Sequence, residues 1–117
     1  MPLIKLQTSI AALPSDQTTS LLQSLSTTLA QQLGKPERYV MTLLETDVPM
    51  TFAGTTAPAC YVEIKSVGQM KPTQTAQMSR LFCNQIASEL GIASDRIYIE
   101  FADAQGYLWG WNGSTFG

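Results

Sequence analysis

Two leucine–glycine pairs, Leu33-Gly34 and Leu90-Gly91, each close an amphipathic run and each lead into a β-rich segment. Their spacing of 57 residues shows that the chain is written twice, and this constrains the fold more than any other feature. In the first copy LIKLQT, residues 3–8, reads as a strand. Beyond Pro14-Ser15, Leu21, Leu22, Leu25, Leu29 and Leu33 recur at helical spacing, and YVMTLLE, residues 39–45, reads as a second strand. In the second copy ACYVEIKSV, residues 59–67, is the strand and Lys71-Pro72-Thr73 opens the helix. That helix carries Met78, Leu81, Phe82, Ile86 and Leu90, and RIYIEFA, residues 96–102, follows it. Gly34 and Gly91 suit the left-handed conformation that ends many helices.

One β-α-β unit leaves its helix covering only two strands. Two units paired edge to edge give an α+β domain over residues 1–117, a four-stranded mixed sheet with both helices on one face. The copies run over about residues 2–46 and 59–103, and a tail occupies 104–117. The opposite sheet face stays bare and carries apolar side chains, Leu3 or Ile4 and Val62 or Tyr61 depending on register. Self-association through that face is expected. The tail, AQGYLWGWNGSTFG, is glycine-rich yet holds Tyr107, Trp109, Trp111 and Phe116, so it is expected to pack on a neighbour or cap a pocket.

Composition removes several function classes. Net charge is −2 and the seven basic residues are scattered, which leaves no footprint for nucleic acid. No apolar run reaches the length of a membrane span, and the start lacks the pattern of a secretory signal, so a cytoplasmic protein without membrane contact is expected. Cys60 and Cys83 match no metal or redox spacing and read as small buried hydrophobes. The chain has no histidine, which removes the commonest general base and most zinc chemistry. Neither a metal nor a cofactor is implied. Acid–base work near neutral pH must come from another group. Pro2 is one candidate, because loss of Met1 would leave it a free secondary amine; the alternative is a proline that merely begins a strand.

MP at the start, LGKPERY at 33–39, SVG at 66–68, SDRIYIEF at 94–101 and WGWNGSTFG at 109–117 resemble the macrophage migration inhibitory factor and D-dopachrome tautomerase family. The similarity runs along the whole chain. It implies a homotrimer whose three sheets enclose a channel, with a keto–enol tautomerase site at each subunit interface. The substrates implied are small enolisable α-keto acids such as phenylpyruvate, or dopachrome. Cytokine-like receptor binding is the rival function, and another proline-dependent chemistry a further one.

In that likeness Pro2 is the general base. An apolar pocket walled by Val67, Trp109 and Phe116 would disfavour its ammonium form and bring its pKa towards neutral pH. Lys35 would push the same way and hold the substrate carboxylate or carbonyl oxygen, with the backbone at Ser66-Val67 adding a donor. Along RIYIEFA, Tyr98 and Glu100 face away from Ile97, Ile99 and Phe101. Tyr98 matches the aromatic residue that lines the pocket from the adjacent subunit. Glu100 stands where better-known members carry a neutral amide. A carboxylate near Pro2 would raise the amine's pKa and repel anionic substrates, which predicts weakened activity on phenylpyruvate-like acids. Arg38, Lys65 and Arg96 are possible partners for Glu100. Some relatives carry a C-x-x-C pair in the segment that reads PACYVEI here; a single Cys60 argues against thiol–disulfide chemistry.

Overall fold

The computed structural model describes residues 1–117. Strand β1 (Pro2–Thr8) leads to helix α1 (Ser15–Leu33), a short 3-10 turn at Glu37–Tyr39 and strand β2 (Met41–Glu45). The second copy runs through β3 (Cys60–Val67), α2 (Pro72–Leu90), a 3-10 turn at Ser94–Arg96 and β4 (Ile97–Ala104). Both helices have 19 residues and both 3-10 turns have three, each displaced by the same 57 positions. The tail forms a further 3-10 turn at Gly106–Leu108 and a hairpin of β5 (Gly110–Trp111) and β6 (Ser114–Thr115).

The main sheet has the order β2-β1-β3-β4. Within each copy the strands are parallel, β1 with β2 and β3 with β4, and the copies meet through the antiparallel pair β1–β3. Each helix is the crossover its parallel pair requires. Register decides which alternate residues enter the core. Ile4 and Leu6 on β1, and Val62 and Ile64 on β3, are fully buried beneath Leu25, Leu29, Phe82 and Ile86 of the helices. Leu3 and Tyr61 therefore belong to the opposite face.

That face is more polar than the apolar surface expected. Its central rows place Lys5 opposite Glu63 and Glu63 beside Glu100, with Lys65 opposite Leu3 and beside Ala102. Lys65 and Glu63 form an ion pair at 3.0 Å. The large exposed apolar side chains lie around it, at Met41, Tyr98, Tyr107, Leu108 and Trp111. Neither helix is long and apolar enough to cross a membrane.

Candidate active site

Pro2 is the first residue of a central strand. A proline is tolerated there because its missing N–H interrupts no ladder upstream. It is fully buried and stands opposite Ser66, itself 1% exposed, so the start of β1 lies against the end of β3.

Lys35 reaches the same place from α1. Gly34, at φ 62°, turns the chain out of the helix, and the Gly34 and Lys35 N–H groups donate back to the carbonyls of Gln31 and Ala30. This paired cap needs a left-handed residue, which glycine adopts without a Cβ penalty. The reversal directs Lys35 at β3, where Nζ donates to the Val67 carbonyl at 3.0 Å. The chain's amino group, carried on Met1, is held below its ordinary value first by burial and then by the Lys35 charge. An amine at this end of β1 thus meets both influences that weaken a base.

Past the end of β3 lies a cleft of about 610 Å³, lined by Val67, Gly68, Gln69, Asp103 and, from the tail, Gly106 and Phe116; Pro2, Lys35, Ser66 and Trp109 are not on its wall. The tail reaches it by a tight return. Phe116 N–H lies between the carbonyls of Gly106 at 3.1 Å and Trp109 at 3.2 Å. Asn112 and Gly113 both have positive φ, the signature of a two-residue hairpin turn. The half-buried Trp109 belongs to this return. Trp111 stacks on Phe116 at 5.8 Å, and the Tyr39 ring meets both edge-on, at 5.3 and 6.0 Å. The Arg38 guanidinium lies 4.7 Å from the centre of the Tyr39 ring. The sequence marks Trp111 for packing and gives no sign of Tyr39 as its partner. The density of aromatics in the tail was the available signal for a clustered wall.

Pro2, Lys35, Ser66, Val67 and Phe116 are therefore brought to one end of the sheet, with Trp109 on the return beside them. Tyr98 and Glu100 are not. Pro2 shares its row with Ser66 and Asp103, whereas Glu100 shares one with Glu63 and Lys5. Three residues along the strands and two strands across amount to roughly 14 Å within one chain. Both side chains occupy the bare face as expected, and Tyr98 is 67% exposed.

Glu100 has none of the basic partners considered for it. The Tyr61 hydroxyl donates to its Oε1 at 2.7 Å, with Glu63 Oε2 at 3.0 Å as the competing acceptor. One hydroxyl proton serves two carboxylates, and the hydrogen bond to Glu100, more than any other influence, holds the Tyr61 phenol above its ordinary range. Glu63 has Lys65 as its principal partner and titrates below the usual carboxylate range. Tyr98 packs on Phe52 with ring centres 4.7 Å apart, beside an apolar hollow of about 290 Å³ that Cys60 also lines. Burial pushes the Cys60 thiol up to about 12, and both cysteines are free. This thiol is a packed hydrophobe and a poor nucleophile.

A family model described as macrophage migration inhibitory factor matches residues 1–117. The crystal structure of a macrophage migration inhibitory factor homologue from Prochlorococcus marinus superposes with a TM-score of 0.93 at 55% identity, covering 98% of this chain and 99% of that one. The macrophage migration inhibitory factor of Meriones unguiculatus is 40% identical over 96 residues, 82% of this chain and 84% of its own length. A homolog from Trichinella spiralis is 34% identical over 116 residues, 99% of this chain and all of its own.

Proposed function

The chain belongs to the macrophage migration inhibitory factor family, within the tautomerase superfamily, and from that premise we propose that it is a keto–enol tautomerase of small enolisable α-keto acids. Phenylpyruvate-like acids are the substrate class. The observation that carries this reading is the convergence of Pro2 and Lys35: Pro2 is buried opposite Ser66, and the Lys35 ammonium, able to take an anion, is tied to the adjacent Val67 carbonyl.

Removal of Met1 turns the Pro2 nitrogen from an amide into a secondary amine. With its proton lost, that amine takes a proton from the carbon next to the substrate carbonyl. The C–H electron pair becomes the C=C bond of the enol, and negative charge moves to the carbonyl oxygen, which is then protonated. Lys35 holds the carboxylate or the developing oxyanion, where a fixed charge in a partly dry site acts strongly. Val67, Trp109 and Phe116 keep water from the amine. Asp103, in the row of Pro2 and Ser66, is occupied with the Met70 N–H at 2.9 Å and serves as scaffold.

The site is completed in a trimer. Roughly 14 Å separates Pro2 from Glu100 within a chain, too far for the two to share a site there; in this reading, which follows the family likeness, Tyr98 and Glu100 serve the Pro2 of an adjacent subunit. The exposed apolar side chains around the bare face, Met41, Leu108 and Trp111 among them, suit burial between copies.

Phenylpyruvate tautomerisation measured with the wild-type chain and with Pro2→Gly tests the reading, intact mass first establishing that Met1 is gone. Loss of general-base catalysis lowers kcat/KM by about two orders of magnitude or more. Equal rates in the two proteins would sink the assignment.

A further inference from the structure

Arg96 ends the 3-10 turn that leads into β4, and its guanidinium is turned wholly on one loop. Nε donates to the Pro58 carbonyl at 2.9 Å, Nη1 to Phe52 at 3.2 Å, and Nη2 to Ala57 at 2.8 Å and Thr55 at 3.3 Å. The same group lies 5.3 Å from the centre of the Phe52 ring. A planar cation with several fixed donors can serve four carbonyls at once, which a lysine ammonium with three donors cannot.

The loop needs such a clamp. Phe52 and Thr55 bond each other in both directions at 3.0 Å around Ala53 and Gly54, which have φ of 53° and 74°. Ala53 carries a Cβ in the left-handed region, so the turn is strained unless its surroundings hold it. Phe52 is also the ring against which Tyr98 rests, two residues beyond Arg96 on β4.

We propose that Arg96 is a positioning residue: it fixes the 52–58 loop so that Phe52 sets the Tyr98 ring, and through Tyr98 it acts on the active site of the neighbouring subunit. The inference rests on the tautomerase reading and on Tyr98 reaching that site. Substrate binding is the step it governs. The basicity of Pro2 is left alone when the loop is loosened with the charge at position 96 kept, because no ionisable group near the amine is gained or lost.

Arg96→Lys keeps the charge and loses the fork. Phe52→Leu keeps the fork and loses the ring. In both, once size analysis shows an intact trimer, phenylpyruvate KM rises by about an order of magnitude, the cost of losing one hydrogen bond from the Tyr98 hydroxyl to a substrate oxygen, the role the family likeness gives it. The acid limb of the pH profile stays in place. Hydrogen exchange over 52–58 accelerates in Arg96→Lys. Chains carrying Arg96→Lys and chains carrying Pro2→Gly are then unfolded together and refolded as mixed trimers. Sites that combine an intact Pro2 with an intact neighbouring loop restore a component of wild-type KM. An unchanged KM in both single variants, a shifted acid limb, or mixed trimers with only the raised KM would overturn the proposal. Full activity in Pro2→Gly alone overturns it by a different route, since the functional reading then fails first.

Discussion

Lys35 Nζ donates to the Val67 carbonyl at 3.0 Å, so a residue just past the end of α1 is tied to the last residue of β3 beside the start of β1. One ammonium thereby fixes a junction of three elements and sets the field around the amine.

Lys35→Met removes both effects, and their signs can be stated. Without the neighbouring positive charge the ammonium form of Pro2 is less disfavoured and its pKa rises. The acid limb of kcat/KM for phenylpyruvate moves to higher pH. Losing a charge-assisted bond to the substrate weakens KM by about tenfold or more. An unmoved limb would show that burial alone sets the base.

Glu100→Asn restores a neutral amide beside the Tyr61 hydroxyl. The phenol is held high chiefly because Glu100 accepts its proton, so the Tyr61 pKa falls towards its ordinary value, as followed by NMR titration. If Glu100 faces the neighbour's Pro2, kcat/KM for anionic substrates rises and the acid limb moves to lower pH. A fallen Tyr61 pKa with unchanged kinetics would place Glu100 outside the site.

Gly106→Ala acts through space. A Cβ there would stand 2.5 Å from the Phe116 carbonyl oxygen, which is backbone and cannot swing aside. The tail must lift, taking Phe116 from the cleft. Weaker substrate binding and altered emission from Trp109 and Trp111 follow, with far-UV circular dichroism nearly unchanged. A tail that tolerates alanine would keep its emission and full activity.

Phe82→Ala tests the core. The ring is wholly enclosed between sheet and helices, and its loss costs about 3–5 kcal/mol in cavity and transfer terms. Thermal unfolding at fixed chain concentration should drop by on the order of 10 °C. The concentration must be fixed because assembly adds to the measured stability.

The fold was legible because its signals are periodic. Leucines at helical spacing, two terminal glycines and alternating strands define each copy, and duplication supplies two parallel pairs, while which of their edges meet is seen only in the structure. Register was not legible. Whether Leu3 or Ile4 enters the core depends on pairing across the sheet, and the same uncertainty hid the Tyr61–Glu100 bond. Lys35 could be singled out from its likeness to a family, yet its partner is a carbonyl, which every residue possesses. The four carbonyls around Arg96 were invisible for the same reason. Asn112-Gly113 was a readable hairpin signal that the aromatics around it obscured.

The displacement between the copies, 57 through the helices and 58 between β1 and β3, gives each working residue a silent twin. The position matching Lys35 is Ile92, 2% exposed, and the position matching Pro2 is Cys60, equally hidden. Architecture built two seats for an ammonium and two for a strand-leading amine, and composition filled one of each. The second half of the chain has surrendered those seats to the core and gained Arg96 where the first half has Tyr39. Symmetry here is an inheritance of shape, from which one half has specialised as reagent and the other as fixture.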